Sequence, residues 1–73
     1  MIEEFSFTYT YKGKTRERKI VTYSLAEAFD RAALFLEGLD EDLILLGLEN
    51  WEDIQDECKK FGITVGDLIA VDE

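Results

Sequence analysis

Strict alternation of aromatic and small polar residues marks the start of the chain, where residues 4–11 read EFSFTYTY. This period of two predicts a β-strand. The aromatic side chains on one face of that strand would be Phe5, Phe7, Tyr9 and Tyr11. Residues 12–14, KGK, provide a turn, and residues 15–23 form the returning strand. The pattern therefore predicts a β-hairpin with a basic tip and an apolar base.

The length of the hairpin loop decides which residues face the aromatic side chains, and the sequence leaves two alternatives. A two-residue loop would pair Tyr11 with Arg16, Tyr9 with Arg18, and Phe7 or Phe5 with Ile20. A three-residue loop with a bulge at Gly13 would instead place Val21 and Tyr23 on the aromatic face.

A capping box follows the hairpin, with Ser24 as the N-cap and Glu27 three residues later. It predicts a helix that runs to about Glu37 and ends at Gly38. Spacings of three and four residues define its buried stripe, which consists of Leu25, Ala28, Phe29, Ala32, Phe35 and Leu36.

A short run that is apolar on both faces, residues 43–48, reads LILLGL between acidic residues and predicts a central strand. Asn50 can then cap a second helix, with Asp53 at the N3 position and other acids in the first turn. The apolar side of that helix would carry Trp51, Ile54, Cys58 and Phe61, with Gly62 at its end.

The tail, residues 63–71, reads ITVGDLIAV and is compatible with a strand, a small hairpin or a last helical turn capped by Thr64. Its β-branched residues favour a strand. The layout is then ββαβαβ. We predict a single α+β domain, residues 1–73, with two helices packed on one face of a small antiparallel or mixed sheet.

Composition is that of a folded domain near the lower size limit: 73 residues, 47% hydrophobic, with no Pro. So small a core leaves homodimerisation as an alternative way to cover apolar surface. The single cysteine excludes an internal disulfide. The first residues do not have the basic segment and apolar run of a signal peptide, and the longest apolar run is far shorter than the roughly 20 residues of a membrane span. We expect a cytoplasmic protein without membrane contact.

Residues suited to catalysis are scarce. The chain has no histidine, Ser24 is used as a cap, and Cys58 falls on the apolar side of a helix. Asp40, Glu41 and Asp42 do not begin a calcium loop, because the required ligand and glycine positions hold isoleucine and leucine. We therefore predict no enzymatic activity, no cofactor and no metal site.

The hairpin tip is the one surface whose composition could favour nucleic-acid binding. Its candidate binding residues are Tyr9, Tyr11, Lys12, Lys14, Arg16 and Arg18, with Lys19 nearby. A charged strand edge that prevents aggregation has the same composition. Residues 54–71 also resemble the generic helix-turn-helix spacing. However, residues 61–73 contain no Arg, Lys, Asn or Gln to contact bases or phosphates, so direct nucleic-acid binding is disfavoured.

Charge is distributed very unevenly along the chain. Residues 1–36 carry a net charge of +1 and residues 37–73 carry −10. We define the acidic track as Asp40, Glu41, Asp42, Glu49, Glu52, Asp53, Asp56 and Glu57. Its last five acids span nine residues, about 12 Å of helix, or one charge per roughly 2.5–3 Å. Duplex DNA carries one per about 1.7 Å of axis, so the helix reaches more than half that density.

These features favour a non-catalytic binding protein whose acidic track occupies a basic, nucleic-acid-binding surface of a larger protein and so inhibits or regulates it. In size, acidity and lack of catalytic residues the chain is similar to small anti-defence proteins of phages and mobile elements, such as anti-restriction and anti-CRISPR inhibitors. That likeness is one of class and covers no motif. Two alternatives are an adaptor or homo-oligomerising module acting through the aromatic hairpin, and a weak single-stranded nucleic-acid binder acting through the hairpin tip.

Overall fold

The computed structural model describes residues 2–71 and shows an α+β domain with the element order ββααββ. Its elements are β1 (Glu3–Tyr11), β2 (Lys14–Thr22), α1 (Leu25–Glu37), α2 (Trp51–Lys60), β3 (Thr64–Val65) and β4 (Ile69–Ala70). Both helices pack on the same face of an antiparallel sheet, where the Phe7 ring contacts Phe35 of α1 and Trp51 of α2. The predicted fold class is confirmed, but the predicted order ββαβαβ is wrong.

The hairpin turns through Lys12 and Gly13, which both have positive φ angles, 53° and 78°. Two central residues with positive φ are typical of the tight hairpin turn whose twist matches the flanking strands. The two-residue loop is therefore confirmed, and so is the placement of Ile20 opposite Phe5.

The expected pairing nearer the tip was wrong by two residues. With Lys12 and Gly13 as the two loop residues, the pairs are in fact Tyr11 with Lys14, Tyr9 with Arg16, and Phe7 with Arg18, so the prediction had miscounted the register of this loop. The three-residue alternative is excluded as well, since Val21 pairs with Glu4 on the other face of the sheet.

The tail forms strands, as the sequence favoured, and both short strands pair with β1. Val65 lies opposite Tyr9, and Ala70 lies opposite Phe5. Between these pairs the tail has four residues, 66–69, where β1 has three, 6–8. The tail therefore carries one extra residue, a β-bulge. β1 is consequently the central strand, with β2 on one side and the bulged tail on the other.

Residues 43–48 form a loop, so the predicted central strand is wrong. Both edges of β1 are already paired, and the backbone of the run finds its partner elsewhere. The Glu37 Oε2 atom accepts the backbone N–H groups of Leu45 at 2.7 Å and Leu46 at 3.0 Å. A turn at Gly47, with φ +95°, then leads to α2. The side chains still alternate, with Leu43 and Leu45 buried and Ile44 and Leu46 exposed.

Helix α1 agrees with the prediction at both ends. The Ser24 hydroxyl accepts the N–H of Glu27 at 3.2 Å, and the helix ends before Gly38. Ala28, Ala32 and Leu36 are buried, and Phe29 and Phe35 are half-buried. Leu25 was predicted to be buried but is exposed, so the buried stripe of α1 begins at Ala28.

Helix α2 also has the predicted caps. Asn50 accepts the N–H of Asp53 at 2.9 Å, and the Asn50 amide donates to the Asp53 carboxylate at 2.9 Å. At the other end, Gly62 has φ +78°, and the N–H groups of Gly62 and Ile63 return to the carbonyls of Lys59 and Cys58. This pair of bonds is a Schellman motif, which favours glycine at that position.

Candidate protein-binding surface

The acids of α2 lie on its solvent side. Ile54 and Cys58 are fully buried against the sheet, and a helix rotates by about 100° per residue. Glu52 and Asp56 are therefore turned away from the core, and both are exposed. Asp53 also lies on this side, but its carboxylate accepts the amide of Asn50.

Glu57 is the member of the acidic track with an ion pair. Its carboxylate accepts from the Lys60 ammonium at 2.7 Å, and this partner raises the pKa of Lys60. An exposed pair of this kind contributes little to stability but neutralises one charge of the track. The negative charge of α2 is thus concentrated on Glu52 and Asp56, with Asp53 beside them.

The remaining members of the track lie in the loop between the helices. Asp40 accepts the N–H of Asp42 at 2.9 Å and so stabilises its own turn. Glu41, Asp42 and Glu49 are exposed. Among residues 2–71 none of these three forms an ion pair.

The structure divides the acidic track between different surfaces. Glu52 and Asp56 line a cleft beside β3 together with Lys59. Glu49 lines a separate groove along α1 together with Asp30, which the sequence analysis did not single out. The acidic track is therefore divided between at least two clefts and does not line a single one.

Basic and acidic regions of the chain do not neutralise each other. Two ion pairs form within residues 2–71. Glu27 pairs with Arg31 within α1, and Glu57 pairs with Lys60 within α2. Two bases of the hairpin instead contact aromatic rings: Lys12 lies over Tyr11, and the Arg18 guanidinium lies 4.6 Å from the centre of the Phe35 ring. The charge asymmetry of the sequence persists in the folded domain.

The hairpin aromatics are largely part of the core. Phe5 and Phe7 are buried, and Tyr9 is only 9% exposed, with its ring 5.2 Å from that of Phe35. Tyr11 is half-buried beside Lys12. Of the residues proposed for the alternative hairpin functions, those that line a shallow surface cleft are Tyr9, Tyr11, Lys12, Lys14 and Arg16. Tyr11 has the ring with free surface for stacking, whereas Arg18 lies over Phe35.

An exposed apolar groove was missed by the sequence analysis. Leu34 of α1 is 67% exposed and Leu46 of the following loop is 86% exposed, and both line the groove. Its base contains Phe29 and Leu45. The signal in the sequence was Leu34, an apolar residue outside the predicted buried stripe of α1.

The surroundings of Cys58 do not favour a reactive, nucleophilic thiol. It is fully buried, and burial, with a smaller contribution from the neighbouring Glu57 carboxylate, raises the pKa of its thiol to about 11. A thiol in this setting is protonated at neutral pH and packs as a small apolar side chain.

Within residues 2–71, no cluster of three or more acidic, cysteine or histidine side chains has the arrangement of a metal site. In the same part of the chain, no helix combines the length and hydrophobicity needed to cross a bilayer. Comparison with protein-family models, with curated proteins and with solved structures gives no match.

Proposed function

We propose that this protein is a non-catalytic acidic binding protein that covers a basic, nucleic-acid-binding surface of a larger cytoplasmic protein and thereby inhibits or regulates it. The observation that carries this proposal is the set of exposed carboxylates that form no ion pair within residues 2–71, namely Glu41, Asp42, Glu49, Glu52 and Asp56. The hairpin supplies no counter-charge to them, although it holds five of the eight bases of the chain.

Electrostatics supports a basic partner for a physical reason. Like charges on neighbouring helical turns, such as Glu52 and Asp56, destabilise a helix by a few tenths of a kcal/mol per pair. A basic surface removes this repulsion on binding and also accelerates the approach of the two proteins. The net charge of −9 adds to that long-range attraction.

The test begins with a partner captured from the native host at low salt and identified by mass spectrometry. With the purified partner, we expect the affinity to fall steeply as salt rises, because exposed charges are screened within about 8–10 Å at ordinary ionic strength. Glu52→Lys combined with Asp56→Lys should abolish binding, and added nucleic acid should compete with the wild-type protein.

Glu17→Lys combined with Glu3→Lys is the matched control, since it makes the same change of net charge on exposed positions of the hairpin. Equal losses in the two double variants would mean that only the net charge matters. Binding that is insensitive to salt and survives the reversal at Glu52 and Asp56 would refute the proposed function.

A further inference from the structure

A continuous apolar groove runs between α1 and the loop that follows it. One part is lined by Ala33, Leu34, Leu45 and Leu46, and the adjoining part by Leu25 and Ala26. Phe29, Asp30 and Leu48 line both parts and so join them. From Leu25 to Leu34 the groove follows about 14 Å of helix, or two and a half turns.

The backbone of the loop that lines this groove is held in place. The Glu37 carboxylate accepts the N–H groups of Leu45 and Leu46, which fixes the loop with Leu45 directed inwards and Leu46 directed outwards. Leu45 is buried, so the loop is anchored to the core. Contiguous apolar surface on a small soluble protein usually marks an interaction site.

The charges around the groove favour a basic occupant. Asp30, Glu37 and Glu49 are among the lining residues, and no Lys or Arg is. A second copy docked symmetrically would bring these carboxylates face to face, in a chain with a net charge of −9. Charge complementarity therefore favours a cationic partner over self-association.

We propose that this groove binds a basic amphipathic helix of the partner protein. A groove of this length accommodates apolar side chains at positions i, i+3 or i+4, and i+7 of a docked helix. Leu34 and Leu46 would contact those side chains, and Asp30 and Glu49 would pair with Lys or Arg on their flanks. The inference rests on the proposed function, because it specifies the basic surface that the acidic protein covers.

A direct test uses a synthetic Trp-free helical peptide of Leu and Lys, with leucines at the spacing given above. Trp51 is the single tryptophan of the chain, and its ring lies 5.9 Å from that of Phe29 in the groove, so its fluorescence reports occupancy. We expect saturable binding of the Lys peptide and none of a matched peptide with Glu in place of Lys.

Substitutions locate the binding site. Leu34→Ser combined with Leu46→Ser should weaken peptide binding at least about tenfold, because these residues supply the exposed apolar contacts. Ile69→Ser is the matched control, since Ile69 is exposed elsewhere on the sheet, and it should leave binding unchanged. Circular dichroism checks that each variant remains folded.

Charge reversals separate this inference from the proposed function. Asp30→Lys combined with Glu49→Lys should weaken peptide binding more than Glu52→Lys combined with Asp56→Lys.

The inference is overturned if the Lys peptide does not bind at concentrations up to about 1 mM. Binding unaffected by the leucine substitutions, or a homodimer dissolved by Leu46→Ser, would also overturn it. In each case a salt-sensitive complex with the natural partner that depends on Glu52 and Asp56 would leave the proposed function intact.

Discussion

Two short apolar runs follow the helices of this domain, residues 43–48 after α1 and residues 63–71 after α2, and they adopt different structures. The first is a loop that buries Leu43 and Leu45 and exposes Ile44 and Leu46. The second pairs with β1 through two short strands. Similar apolar content therefore produces a surface groove in one place and a sheet edge in the other.

The difference lies in the backbone partners available to each run. The tail lies along the free side of β1, where the N–H of Gly66 donates to the Thr8 carbonyl at 2.8 Å. Trp51 and Gln55 of α2 donate to the carbonyls of Gly66 and Val65 and hold the tail there. The first run has no strand beside it, and the Glu37 carboxylate binds two of its N–H groups instead. Strand formation thus depends on the neighbouring chain as well as on side-chain pattern.

The largest expected effect concerns the buried residues of the two runs. Leu45→Ala and Ile63→Ala should each lower the free energy of unfolding by about 3 kcal/mol, because both side chains are fully buried in one core. Leu46→Ala is the control, expected within about 0.5 kcal/mol of wild type. Urea denaturation measures all three, and a cost below about 1 kcal/mol for Leu45→Ala would show that the loop is not part of the core.

A smaller effect is expected where the first run depends on Glu37. Glu37→Ala leaves the N–H groups of Leu45 and Leu46 without their acceptor and should cost about 2 kcal/mol, whereas Glu37→Gln keeps one acceptor oxygen and should cost about half as much. Hydrogen exchange at these two amides should accelerate in both variants. Glu41→Ala, at an exposed neighbouring site, should change neither quantity. Unchanged exchange in Glu37→Ala would disprove the role assigned to this carboxylate.

The smallest effect concerns the close approach of the second run to β1. A Cβ atom at Gly66 would lie 2.6 Å from the Thr8 hydroxyl oxygen, so Gly66→Ala should cost about 1–2 kcal/mol. Thr8→Ala removes that atom and should restore most of the loss in a double-mutant cycle. Gly47→Ala costs stability through its positive φ, not through a clash, so Thr8→Ala should not rescue it. Equal behaviour of the two glycine variants would contradict the proposed contact.

Local rules in the sequence identified the helices and the hairpin. Ser24 and Asn50 cap through bonds to residues three positions away, and the turn at Lys12 and Gly13 involves neighbours only. The position of residues 43–48 depended on a carboxylate at Glu37 and on occupancy of β1, neither of which hydrophobic periodicity describes. The division of the acidic track had the same origin, because Glu49 and Asp56 line different surfaces only after the two helices pack. Whether these residues bind a partner stays a prediction.

The bulge opposite Phe7 has a consequence for polymerisation. Asp67 and Leu68 lie where the regular hydrogen-bond ladder along the tail is interrupted. A strand from another molecule could therefore not pair in register along this edge of the sheet. The opposite border, β2, displays Arg16, Glu17 and Lys19, which oppose stacking of identical copies. Both borders of the four-stranded sheet are therefore poorly suited to the addition of a strand from another copy.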